Sequence, residues 1–149
     1  MLRVVARGIA ALTALAALAA AGPAVGGDPV PVSYSAEFEY GGGISFDRVK
    51  ENPKVSDIEI EDMLADCEGA AAELRITISG KTPVLSDRSF AVFSKDRGRG
   101  KAIVKGRFSR SFKRAKGSAR MYGSYRLVGG DGWTKCESGK QKFVARISG

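Results

Sequence analysis

The sequence predicts an all-β domain: an antiparallel β-sandwich, or a barrel-like variant of it, of about seven to nine short strands with one disulfide. Three observations carry this reading. Apolar and polar residues alternate with period two in several separate segments, the pattern of strands with one buried and one wet face. Glycine-rich turns separate those segments, and stretches with helical spacing are few. Cysteine occurs twice, at Cys67 and Cys136.

The pairing of those cysteines is inferred from the start of the chain. Residues 1–7 carry Arg3 and Arg7 and no acid, residues 8–21 are an almost unbroken apolar run, and small residues lead on to Asp28-Pro29. A basic start, an apolar stretch and a small-residue exit describe a secretory signal peptide. The expected organisation is a signal peptide over 1–26, cleaved after Ala21, Ala24 or Gly26, and a single domain over 27–149. The apolar run falls short of the roughly 18–20 residues that span a bilayer, and no later segment could cross one. The expected location is therefore secreted or extracytoplasmic. Two cysteines in an oxidising compartment should pair. Closing so long a loop restricts the unfolded chain by roughly 4 kcal/mol.

The strands follow in order. Val32, Tyr34, Ala36, Phe38 and Tyr40 alternate with serines and glutamates, and Gly41-Gly42-Gly43 leads into Ile44-Ser45-Phe46, so this pair reads as a hairpin. Residues 56–68 are ambiguous. Ile58 and Ile60 alternate with acids, yet Ser56 and Glu59 have capping-box spacing and Ile60, Met63, Leu64 and Cys67 have helical spacing. A strand is preferred, with a bulge near Asp62 where the phase slips. Leu74, Ile76 and Ile78 form the next strand, closed by Gly80. Residues 89–95 make a short strand whose crowded Phe90, Val92 and Phe93 leave its faces unassigned, and 97–100 is a charged turn. Ala102, Val104, Gly106 and Phe108 point inward from one strand, and Ala119, Met121, Gly123, Tyr125 and Leu127 from another. A tight turn at 129–132 leads to Trp133–Ser138, with Trp133 expected in the core beside the disulfide. Phe143, Ala145 and Ile147 face inward from the last strand.

The chain has no histidine, which removes His-based triads and His-ligated zinc. No cofactor or metal is expected. Net charge is +8 and unevenly spread: residues 28–74 carry twelve acids against three bases, and 75–149 nineteen bases against four acids. Such halves imply either two oppositely charged surfaces or strands that neutralise each other when interleaved.

An immunoglobulin domain would place its tryptophan soon after the first cysteine and a tyrosine two before the second. Here Trp133 lies just before the second cysteine and position 134 is Thr, so that match fails. A weaker resemblance holds through Cys67-Glu68-Gly69, Pro83, Gly106-Arg107-Phe108, the run Ala115-Lys116-Gly117-Ser118-Ala119-Arg120, and Cys136-Glu137-Ser138-Gly139 followed by Phe143 and Ala145. From about Tyr34 to its end, the chain resembles small exported single-domain β proteins common in high-GC Gram-positive bacteria. That resemblance implies an all-β, disulfide-closed fold and no established activity. The acidic first half departs from the pattern.

Two charged constellations remain. Asp57, Glu59, Glu61, Asp62, Asp66 and Glu68 form an acidic cluster without the ordered loop of a calcium site, so a solvated strand face is the simpler reading. The strand phases point Lys105, Arg107, Arg120, Arg126, Lys142 and Arg146 outward, with Lys113, Arg114 and Lys116 on the adjoining turn. These six are the candidate anion-binding residues, and the expected partner is an anionic cell-surface polymer or an envelope protein. Nucleic acid is disfavoured, because only Tyr122 offers an exposed stacking ring. The expectation is an exported, non-catalytic structural or binding domain of the cell envelope. The competing reading is a small extracellular hydrolase using an Asp/Glu pair.

Overall fold

The computed structural model describes residues 26–148, leaving out 28 and 97–99. The expected signal peptide and most of the charged turn at 97–100 lie outside the described residues. Every described element is a strand. In chain order they are β1 (Val32–Glu37), β2 (Gly43–Val49), β3 (Lys54–Cys67), β4 (Ala70–Pro83), β5 (Ser89–Asp96), β6 (Gly100–Phe108), β7 (Arg114–Arg126), β8 (Trp133–Glu137) and β9 (Gln141–Ile147).

All nine belong to one antiparallel sheet in the order β4-β3-β2-β1-β9-β7-β6-β5, with β8 pairing both β3 and β7. The strands β3, β2, β1, β9, β7 and β8 thereby close into a ring, with β4 outside β3 and β6 and β5 continuing beyond β7. This is the barrel-like form of the expected fold. Because β1 to β4 stay contiguous, as do β9, β7, β6 and β5, the acidic and basic parts of the chain are not interleaved.

The ambiguous segment is a single long strand, β3. Its pairing with β4 shifts register between Ile60 and Met63, and Asp62 at the shift takes φ 50°, so the phase slip in the sequence is a bulge. The β1–β2 turn seats on that bulge. A Cβ at Gly42 would stand 2.4 Å from the carbonyl oxygens of both Glu61 and Asp62, and its φ is +76°. Only glycine fits there.

The interior is aromatic. Tyr34 stacks on Phe46 at 5.3 Å, Phe46 reaches Phe90 and Phe143 at 5.6 and 6.3 Å, and Phe90 lies 5.4 Å from Phe108. Register lines up Phe90, Gly106, Gly117 and Phe143 across four strands. A Cβ at Gly106 would meet the Phe90 ring at 2.5 Å, and one at Gly117 the Phe143 ring at 2.5 Å. The two rings fill the space the glycines leave.

Three polar residues are buried among those described: Ser56, Arg48 and Gln141. Arg48 follows Ile44 and Phe46 on the inward face of β2; its Nε donates to Tyr34 Oη at 3.1 Å, and its guanidinium lies 4.5 Å from the Phe112 ring centre. Gln141 donates from Nε2 to the Leu64 carbonyl at 3.0 Å.

Cys67 and Cys136 face each other across β3 and β8, with Cα atoms 4.1 Å apart, and are bonded. Trp133 is not in the core. Inward Cys136 puts alternate residues outward, and Trp133 is 50% exposed. Tyr40 and Ile147, also expected inward, are exposed because each lies at or beyond a strand end. The unassigned faces of β5 resolve with Phe90 and Val92 buried and Phe93 outward.

Candidate functional site

The outward positions of β6, β7 and β9 carry the six candidate residues, all exposed. Register decides which of them meet. Lys105, Ser118 and Lys142 form one row across the three strands, and Arg107, Lys116 and Val144 the next. Arg120 stands in the following row opposite Ile103, and Arg146 lies near the other end of β9 opposite Arg114. Arg126 is apart from them, at the far end of β7 opposite Trp133 and about 20 Å from Arg120 at strand rise. The structure therefore clusters four of the six, leaves Arg146 at the margin and separates Arg126.

Lys116 was expected on a turn, as was Arg114; both belong to β7. The alternation continuing back from Arg120 through Ser118 is the signal that places Lys116 outward. Between the long side chains, Ala91, Gly106, Gly117 and Ser118 leave a shallow depression of 560 Å³. Lys105, Arg107, Lys116, Lys140 and Lys142 line it, with Leu85 and Phe93 on the same wall set.

Two of the arginines are committed to acids. Arg107 donates to Asp87 at 2.8 Å. The Asp87 carboxyl is held below its ordinary range, first by hydrogen bonds from the Ser89 hydroxyl and backbone N–H and then by the Arg107 charge. Arg120 grips Glu137 with two bonds of 2.7 and 2.8 Å, which lowers the Glu137 pKa and raises that of Arg120. Among the described residues, Lys105, Arg126, Lys142 and Arg146 have no carboxylate within ion-pair distance.

The acidic residues sit on β3 and its link to β4. Arg75 approaches Glu61 at 3.5 Å and Asp62 at 3.4 Å. Asp66 accepts from the Gly69 N–H, and Glu68 from the Lys135 N–H, so both carboxylates fasten backbone. Among the described residues, no group of three or more acids or cysteines is placed to hold a metal. The Ser138 hydroxyl is used in two backbone contacts, accepting from Met121 N–H and donating to the Gly139 carbonyl, each at 2.8 Å.

Sequence reasoning missed three exposed rings. Phe93 and Trp133 are on the same outward side as the cations, and Tyr40 lies beyond the end of β1. For Trp133 the signal was present in the alternation back from Cys136; for Phe93 it was not, because Phe90, Val92 and Phe93 fit no single phase.

No protein-family model, curated protein or solved structure matches this chain.

Proposed function

We propose that this chain is an exported, non-catalytic β-domain of the cell envelope that binds an anionic polymer or envelope protein through the basic outward side of β6, β7 and β9. The observation that carries the reading is the row register. Lys105 and Lys142 flank Ser118, while Arg107 and Lys116 stand one row away, around one depression. Cations gathered on one surface raise the local concentration of polyanions, and each counterion released on binding adds a salt-dependent gain. A disulfide suits an oxidising compartment. The resemblance to small exported domains of high-GC Gram-positive bacteria supports export.

Retention on heparin and teichoic-acid resins tests this. The protein is expected to be held at about 0.15 M salt, within the range where exposed charges are screened over roughly 8 Å. The triple variant Lys105→Glu, Lys116→Glu, Lys142→Glu is expected to elute at clearly lower salt. Equal retention of the variant, with its fold intact by circular dichroism, would refute the assignment.

A further inference from the structure

We propose that the anionic surface met by this face is a lipid bilayer, with Leu85 and Phe93 seated among the headgroups and Lys105, Lys116 and Lys142 against the lipid phosphates. The inference rests on the basic side being the binding side, and it names the partner. A soluble polyanion asks only for cations. Here two large apolar side chains, Leu85 at 59% and Phe93 at 65% exposure, line the same depression as the lysines.

Their placement is systematic. Phe93 lies on β5, the last strand of the sheet path, and points outward opposite Ile103. Lys105 Nζ is 5.7 Å from the centre of the Phe93 ring, so cation and ring are presented together. Across the sheet, exposed Val144 stands opposite Lys116. Apolar side chains interleaved with flexible lysines suit an interface in which phosphates lie above an acyl boundary. The fold also sets the orientation. Around the ring, β9 with Lys142 is three pairings from the acidic β3 in either direction, so an anionic membrane attracts one side and repels the other.

Cosedimentation with phosphatidylcholine vesicles, with and without phosphatidylglycerol, tests the proposal on the mature chain, beside heparin retention. Binding is expected only to the phosphatidylglycerol vesicles. The variant Leu85→Ser, Phe93→Ser should lose vesicle binding by about tenfold or more while keeping heparin retention. Each lysine replaced by glutamine should cost about fivefold. Retention on heparin without vesicle binding would overturn the bilayer proposal in favour of a polymer. Wild-type vesicle affinity in the Leu85/Phe93 variant, whose fold is checked by its thermal midpoint, would overturn it as well. Binding to neither heparin nor vesicles would instead sink the basic-face reading beneath it.

Discussion

Arg48 is a charged side chain at a position that strand alternation reserves for the core. Its neighbours two and four back, Phe46 and Ile44, are buried, and Arg48 is itself only 7% exposed. What makes this tolerable is the environment: Tyr34 Oη accepts from Nε, and the Phe112 ring takes the guanidinium face. Tyr34 passes the bond on by donating to the Phe112 carbonyl, which fixes the loop that supplies the ring. Arg48→Ala removes the stack and opens a void, and is expected to cost about 2–4 kcal/mol. Arg48→Met keeps most of the volume and drops a charge that is costly to bury, so it should stay within about 1.5 kcal/mol of wild type. Urea unfolding midpoints decide between them. Equal loss in both variants would show that the charge, rather than the packing, holds the loop. Period two carries the sequence to Arg48 as readily as to Trp133; in both cases residue type, a cation or a large ring, argued against what alternation placed.

At the scale of the elements, β8 is short and decides the topology. Its residues Cys136 and Glu137 pair with Cys67 and Asp66 of β3 on one side and with Gly123 and Tyr122 of β7 on the other. The disulfide reinforces the β3 contact, which is only two residue pairs long. Replacing both cysteines, Cys67→Ser with Cys136→Ser, should lower stability by roughly 4 kcal/mol, because the bond closes a loop with a sequence separation of 69. Domains of this size hold about 5–15 kcal/mol in total, so the loss should be plain in denaturant. Wild-type protein in reductant should match the double variant. If the variant unfolds at the wild-type midpoint, β8 is held by its strand pairing alone. The strands, and the bulge at Asp62, were legible because they are local patterns of burial. The ring was not: the β1–β9 and β3–β8 pairings join residues over 60 positions apart through a few bonds each, and alternation within a strand carries no record of its partner.

Across the whole molecule, charge segregation in sequence becomes segregation in space, since strand order keeps the first four strands together and sets β9 opposite β3 in the ring, three pairings away in either direction. The sequence left open whether the two halves neutralise each other. The ion pairs resolve part of that question: Arg107–Asp87 and Arg120–Glu137 are made within the basic part, and Arg75 pairs with Glu61 and Asp62 across the β3–β4 pairing. The Arg75 pairs join the two halves of the sequence, but they lie on β4 and β3 and leave Lys105 and Lys142 without a carboxylate partner among the described residues. Binding to an anionic surface should therefore be oriented, and lysine acylation read by mass spectrometry would report it. Lys105, Lys116 and Lys142 should be protected when heparin or anionic vesicles are present. Lys50 and Lys81, exposed on the β2–β3 turn and on β4, should acylate at the free-protein rate. Uniform protection of all five would mean that net charge alone draws the protein to the surface, and that the register of β6, β7 and β9 confers no preferred face.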